Sequence, residues 1–399
     1  MLSLVALSAV SATIQGLLHY YAWRRLVRDT GLRGAARTSA TIALIALMVM
    51  IPSAIWASRL GAPGLAHALG WIAFPWMALL GLTVVALAAI DAGRAAAALV
   101  RWLRASPPVD PTRRQFLARL TGTAAITAAG GTVALGARDA LGEPEIVTIE
   151  VPLARLPAAL DGLTIVQLSD LHVGMTVGRH FVEEVVARAN ALGPDVVVLT
   201  GDLVDGSVDD LRARVAPLAD LRARRGRFAV TGNHEYYSGA DAWIAEYERL
   251  GLRVLRNQRV AIGDGDDVFD LAGIDDHIAD RFPGHGADLA AALAGRDRSR
   301  ALVLLAHQPR QVRTTDGHDV DLQLSGHTHG GQIWPWHYLA AAQQGGLLVG
   351  DYRHGGTWLH VSRGVGYWGP PVRVGARAEI TRVILRAGQA PTRKQMRST

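Results

Sequence analysis

Five times in this chain a short apolar run ends in residues able to hold a metal ion, and the sharpest case constrains the fold most. Asp195-Val196-Val197-Val198-Leu199 has the β-branched, aliphatic make-up of a buried strand, and it leads into Thr200-Gly201-Asp202-Leu203-Val204-Asp205. A glycine and then a carboxylate just past a strand's C-terminal end stand where α/β folds place their chemistry. Taken alone, the same pair is an ordinary turn.

Four more runs end the same way. Leu163 to Leu168 leads into Ser169-Asp170-Leu171-His172, and Phe228 to Val230 leads into Thr231-Gly232-Asn233-His234-Glu235. Ala301 to Leu305 leads into Ala306-His307, and Val320 to Leu324 leads into Ser325-Gly326-His327-Thr328-His329-Gly330-Gly331-Gln332. A spacing of two puts Asp170 with His172, and His327 with His329, on one side of an extended chain, so each pair can reach one ion. Asp, His and Asn offer oxygen and nitrogen without sulfur, a donor set for Mn, Fe or Zn rather than a thiolate-loving metal.

The ordered set D-x-H, G-D-x-x-D, G-N-H-E, a lone His and G-H-T-H resembles the calcineurin-like metallophosphoesterase superfamily, in its membrane-anchored bacterial-type branch with G-H-T-H-G-G-Q; the likeness covers residues 146–387. The resemblance implies an α/β fold of two packed mixed β-sheets flanked by helices, and two divalent metal ions. Asp170, His172, Asp202 and His329 would hold one ion; Asp202, Asn233, His307 and His327 would hold the other, with Asp202 bridging. His234 would contact the phosphate and protonate the leaving group. Two such ions would clamp a phosphoryl group and acidify a water, so that a phosphomonoester or phosphodiester is hydrolysed without a phosphoenzyme.

The first third of the chain is of another kind. Met1–Trp23, Thr38–Ser58, Gly70–Ile90 and Leu120–Ala137 contain no Asp, Glu, Lys or Arg. Each is near the length that crosses a bilayer, about 18–23 residues at ~1.5 Å rise. The alternative is a buried helical bundle in a soluble protein. The expected organisation is an all-α transmembrane region over 1–137, with about four helices spanning 2–23, 38–58, 70–90 and 120–137. A tether over 138–145, the metallophosphoesterase domain over 146–387 and a polar tail over 388–399 follow. Eight tether residues reach at most ~28 Å, which keeps the domain against the membrane face.

Arginines orient the spans. The first loop holds Arg24, Arg25, Arg28, Arg33 and Arg37, the third holds Arg94, Arg101, Arg104, Arg113, Arg114 and Arg119, and the second has only Arg59. Positive-inside places the first and third loops in the cytoplasm, and hence the catalytic domain of a multi-pass membrane protein on the extracytoplasmic side. Residues 1–119 carry twelve arginines against three aspartates, a surplus of nine where the whole chain has +6, so the remainder is acidic by three. The basic character is thus a topology signal, and no nucleic-acid partner is expected. Thr112-Arg113-Arg114-Gln115-Phe116-Leu117 looks like an internal twin-arginine export signal, or else supplies plain cytoplasmic anchors. The chain has no cysteine, which suits an oxidising compartment without requiring one.

Weaker candidates surround the motifs. Asp205 suits a hydrogen-bonding role behind the metals; Asp275 ends another strand; Gln332 would hold His329 or substrate; Arg363, in Ser362-Arg363-Gly364, would touch phosphate or stay solvated. Trp334, Trp336, Tyr338, Tyr352, Trp358, Tyr367 and Trp368 crowd the stretch after His329. They either pack between the last strands or form an aromatic rim suited to a membrane interface or a sugar face, which points to a phosphoester on a lipid or envelope glycan carrier. A non-catalytic membrane receptor or scaffold that keeps the fold is the alternative function, and no motif speaks to oligomeric state. The arginine asymmetry has a direct check: a reporter active only outside the cytoplasm works when fused after Thr399 and fails when fused after Arg104. A cytoplasmic reporter active at the C-terminus reverses the topology.

Overall fold

The computed structural model describes residues 2–105 and 110–388; residues 389–399 of the expected polar tail lie outside the described residues. The chain divides into two compact units, Met1–Arg138 with Gly369–Val372, and Asp139–Trp368 with Arg373–Thr399. Apart from connections and Gly369–Val372 the first is built from helices: α1 (Leu2–Trp23), α2 (Gly34–Arg59), α3 (Pro63–Leu103) and α4 (Pro111–Leu141). Among the described residues, three helical stretches are long and apolar enough to cross a membrane: Gly34–Ser58, Pro63–Leu103 and Pro111–Leu141. The first expected span coincides with α1, an uncharged helix of 22 residues.

The helices overrun the uncharged stretches. Residues 70–90 are the middle of a 41-residue helix that begins with a proline at its first turn and passes through Pro75. Charge avoidance finds what sits in lipid, whereas a helix ends only where its backbone hydrogen bonds find other partners. Arg113 and Arg114 lie in the first turn of α4, where the Asp110 carboxylate accepts from the Arg113 amide at 2.9 Å. The unit turns apolar side chains outward, among them Ile42, Ile45, Val49 and Ile72, and several of its polar side chains pair with one another. Trp76 Nε1 donates to His19 Nε2 at 3.0 Å, Tyr21 donates to Asp91 at 2.8 Å, and Arg94 donates to Thr121 at 2.6 Å. The expected tether is shorter than its sequence suggests, because α4 runs to Leu141 and the first strand starts at Glu145.

Among the described residues the second unit holds twelve strands: β1 (Glu145–Leu153), β2 (Thr164–Leu168), β3 (Val196–Thr200), β4 (Arg227–Val230), β5 (Arg253–Val254), β6 (Gln258–Asp264), β7 (Asp267–Gly273), β8 (Leu302–Leu305), β9 (Leu322–Ser325), β10 (Gly350–His354), β11 (Thr357–Val361) and β12 (Glu379–Ala387). They form two six-stranded mixed sheets, in the orders β1-β12-β2-β3-β4-β5 and β10-β11-β9-β8-β7-β6. Within the first, β2, β3, β4 and β5 run parallel; within the second, β7, β8, β9 and β11 do. The helices α5 (Arg179–Ala191), α6 (Val208–Val215), α7 (Asn233–Ser238), α8 (Ala240–Arg249), α9 (Leu289–Leu293) and α10 (His337–Gln343) join them.

Strand alternation explains the layers. Ile165, Val196 and Val198 from the first sheet meet Phe269, Leu271, Val303, Leu305, Leu322 and Leu324 from the second, so the sheets share a core. Val166, Leu168, Val197 and Leu199 face the other way, onto Val182, Val185, Leu211, Trp243 and Tyr247 of α5, α6 and α8. On the second sheet's outer face, Ala272, Leu302 and Leu304 pack on Leu289, Ala292 and Leu293 of α9. Parallel strands in both sheets deliver their C-terminal ends to the metal-type motifs.

Candidate metal centre

The motif residues leave β2, β3, β4, β8 and β9 and converge. Among the described residues three groups could hold a cation: Asp170 with His172 and His329; Asp202 with His307 and His327; and His172 with Asp205 and His234. His172 Nε2 faces His329 Nε2 at 3.0 Å, and His329 Nε2 lies 3.5 Å from Asp170 Oδ1. In the second group His307 Nε2 lies 3.1 Å from Asp202 Oδ2 and 3.3 Å from His327 Nδ1. Asp202 Oδ2 also lies 3.9 Å from His172 Nε2, which places this carboxylate between the two groups.

A two-cation occupancy fits these atoms. His307 Nδ1 bonds the Thr200 carbonyl at 2.7 Å, which fixes its proton there and turns the Nε2 lone pair toward the Asp202 carboxylate. An acceptor facing an acceptor needs a proton or a cation between them. Two imidazole nitrogens 3.0 Å apart, as in the His172–His329 pair, pose the same demand. The Asn233 side-chain oxygen is buried with no hydrogen-bond partner among the described residues, as a ligand oxygen would be. Without a cation the burden falls on protons. Burial works against a charged His307, but the Asp202 carboxylate outweighs it and raises its pKa well above the ordinary value. Burial and the His307 charge together hold His327 down to about 3.

Backbone strain is concentrated here. Asp170, His172, Asp202, His327, His329 and Gln332 all take left-handed φ, between 50° and 72°. Such a conformation costs an L-residue on the order of 1 kcal/mol or more, and it is sustained where the surroundings over-determine it. The turns are held by amides. Both Asp170 oxygens accept from the His327 amide at 3.0 Å, and Asp202 Oδ1 accepts from the His234 amide at 2.8 Å. Gly232 is required by proximity, since a Cβ there would stand 2.2 Å from Asp202 Oδ1.

Asp205 accepts from two rings at once, His172 Nδ1 at 3.0 Å and His234 Nδ1 at 2.6 Å. It thereby orients a ring of the first group and the ring beside it. His234 is partly open, with Nε2 3.9 Å from Asp202 Oδ2. Burial would lower its pKa, but Asp202 and Asp205 raise it to about 9, so it carries a proton at neutral pH. Two exposed aromatic rings, Tyr237 and Trp368, stand edge-on to it with centroids 5.5 and 5.8 Å away.

The other sequence candidates sit outside this cluster. The Asp275 carboxylate is bound by the Arg256 fork at 2.7 and 3.1 Å. Its neighbour Asp276, raised to about 6 by burial, is the acid on the His307 side and leaves one oxygen without a hydrogen-bond partner. Gln332 makes a reciprocal pair with the Trp368 backbone, at 2.9 and 3.0 Å, and so places that ring. Arg363 is engaged by Glu379 and, at 3.1 Å, by Glu145. The aromatic stretch divides: Tyr367 is buried and Trp358 packs on the core between the sheets, while Trp334, Trp336, Tyr338 and Trp368 are exposed.

Two supporting residues were not singled out from sequence. Glu235, the last residue of G-N-H-E, accepts from the amides of Gly232, Asp202 and Leu203 at 2.7, 3.0 and 2.8 Å, and from the Tyr247 hydroxyl at 3.0 Å. Its signal was the motif's fourth position. Arg373, fully buried behind His329, had no local signal at all.

Paired strand ends, a carboxylate lying between two donor groups and a histidine beside them make a candidate metal centre on a two-sheet α/β fold. Residues 163–331 match the calcineurin-like phosphoesterase family. The chain is 36% identical over 272 residues to a metallophosphoesterase of Helicobacter pylori, covering 68% of this chain and 71% of that one. It is 31% identical over 289 residues to a metallophosphoesterase of Bacillus subtilis, covering 69% and 98%. It is also 43% identical over 265 residues to a bovine transmembrane protein with metallophosphoesterase domain, covering 63% and 60%, so it spans only three-fifths of that relative. The chain belongs to the calcineurin-like metallophosphoesterases, a family that works with two divalent metals.

A buried network behind Arg363 yields a pH test. Burial would raise the Glu379 pKa, but its His360 and Arg363 partners outweigh that and hold it at about 2 against an ordinary 4.5. A depressed carboxylate stabilises the fold above its unfolded pKa, and that contribution is lost as pH falls toward the folded value. Glu379→Gln should therefore lower the unfolding temperature at pH 6, and the gap to wild type should close between about pH 4.5 and pH 2. A gap of constant size across that range shows that the charge of Glu379 is not what stabilises.

Proposed function

We propose that this protein is a membrane-anchored, dinuclear metal-dependent phosphoesterase acting outside the cytoplasm. The convergence of Asp170, His172 and His329 on one side of Asp202, and of His307 and His327 on the other, carries this reading, and the buried, unpartnered Asn233 oxygen is available as a further donor. Mn, Fe or Zn suit these donors. Two such ions would supply Lewis-acid charge to a phosphoryl group and lower the pKa of attacking water. The chain's own residues do the rest. Asp202 lends one carboxylate to both groups and offsets the repulsion between two dications. His234 would give its Nε2 proton to the leaving-group oxygen as the ester bond breaks, and Asp205 keeps the Nδ1 proton in place so that Nε2 faces the substrate.

The division of roles is testable. Asp202→Asn should abolish bound metal and activity together. His234→Ala should retain metal and slow hydrolysis by about 10² or more, with less loss for leaving groups that need no proton. Equal metal loss in the two variants refutes the assignment.

Exposed aromatics favour a lipid or envelope glycan carrier as the phosphoester. Trp334, Trp336, Tyr338 and Leu339 are exposed, and α10 buries none of its residues. Tyr237 and Trp368, also exposed, flank His234, and Gln332 links the Trp368 backbone to the chain just before Trp334. Amphipathic rings in such a row suit an interface that is apolar on one side and wet on the other. The double variant Trp334→Ala, Trp336→Ala should lower hydrolysis of a lipid-linked phosphoester in vesicles by roughly tenfold while sparing a soluble aryl phosphate. Equal effects on both substrates, or a preference for free nucleotides, removes the lipid reading.

A further inference from the structure

Arg373 is wholly buried, and among the described residues its hydrogen bonds go to no carboxylate. Burial brings its pKa down only to about 10, so the guanidinium is charged at neutral pH. A buried cation without a contacting counter-ion costs several kcal/mol unless oriented dipoles replace its hydration. Here backbone carbonyls do so. Nε donates to Gly366 at 2.9 Å; Nη1 donates to His329 at 3.3 Å and Ala376 at 2.9 Å; Nη2 donates to Arg363 at 2.9 Å, to Gly364 at 3.2 Å and also to Gly366.

Those carbonyls come from segments that frame one end of the metal centre. Residues 364–366 lie on the Asp170 turn: the Val365 amide donates to the Ser169 carbonyl at 2.8 Å, and the Gly366 amide to the Asp170 carbonyl at 3.0 Å. The fit is close enough that a Cβ on Gly364 would stand 2.7 Å from that of Asp170. The same fork grips the His329 carbonyl and sets Nη2 3.2 Å from His329 Nδ1. One rigid, planar donor therefore ties the backing of Asp170 to the main chain and ring of His329. None of its hydrogen bonds among the described residues reaches Asp202, Asn233, His307 or His327. Arg373 thus spans the Asp170 turn and His329, whereas the second group meets the first through the His327 amide on Asp170 and the shared Asp202 carboxylate.

We propose that Arg373 is the positioning residue for the Asp170–His172–His329 group, so that the affinity of one of the two cations depends on it and that of the other does not. This rests on the two-cation reading given under Proposed function. A lysine cannot replace the fork, because a single ammonium on a flexible stem cannot hold five carbonyls in a plane.

The test uses Mn2+ as probe on the full-length protein in detergent, comparing wild type with Arg373→Met and Arg373→Lys. Stoichiometry and affinities come from equilibrium dialysis, and electron paramagnetic resonance separates a spin-coupled Mn pair from an isolated Mn ion. Wild type should bind two Mn2+ as a coupled pair. Each folded variant should keep one site at wild-type affinity and lose about 10- to 100-fold at the other, the scale seen when a partner behind a ligand is removed. The coupled spectrum should give way to that of an isolated ion. A role confined to folding would lower the unfolding temperature and weaken both sites alike. Should Arg373→Met fail to fold, Arg373→Lys, which keeps charge and stem, decides alone. A coupled pair of unchanged affinity in a folded variant, or equal weakening of both sites, overturns the role of Arg373. Fewer than two Mn2+ on wild type overturns instead the two-cation reading beneath it.

Discussion

Three carboxylates, Asp170, Asp202 and Glu235, are buried together where the two sheets' parallel strands end. Removing that much charge from water is costly unless each group finds compensation. Glu235 is satisfied by three amides and a tyrosine hydroxyl, and Asp170 by the His327 amide. Asp202 keeps one oxygen for the His234 amide and presents the other to the imidazoles of both groups. The arrangement is a negative site assembled for positive charge, and much of the surrounding unit serves to hold it open.

Holding it open requires backbone that would not form for local reasons. Six residues in left-handed conformation lie on the loops after β2, β3 and β9, and the sheets beneath them are apolar and fully packed. Strained loops on rigid strands are stiff, which would give a two-cation centre fixed spacing without help from the ions. Outside the ligands lies a further layer of fixed donors and acceptors. Asp205 orients His172 and His234 from one side, and Arg373 binds the chain at His329 from another. Arg363 belongs to that layer, because two carboxylates already claim its guanidinium.

The helical unit follows a different economy. Its outward side chains are apolar, and its polar side chains find one another, as the Tyr21–Asp91 and Trp76–His19 bonds show. His19 bonds on both ring nitrogens, to the Gln15 carbonyl at 2.8 Å and the Trp76 indole at 3.0 Å, so it is a satisfied neutral ring rather than a proton carrier.

The sequence by itself determined the five strands that lead into the motifs and the residue types that end them. Apolar runs of four or five residues can only be buried, and Asp, His or Asn at each end states the chemistry before any contact is known. It also marked what belongs in a membrane, because charge is excluded there outright, although it could not find helix ends, which depend on backbone bonding. Only the tertiary structure decided which of two adjacent aspartates turns toward His307, since Asp275 and Asp276 differ only in their neighbours: Arg256 takes the first. It alone divided the aromatic stretch into core and surface. It alone revealed Arg373, whose partners range from residue 329 to residue 376 and share no local pattern. A ligand's identity is a property of one residue; what holds it in place is a property of the chains that happen to pass behind it.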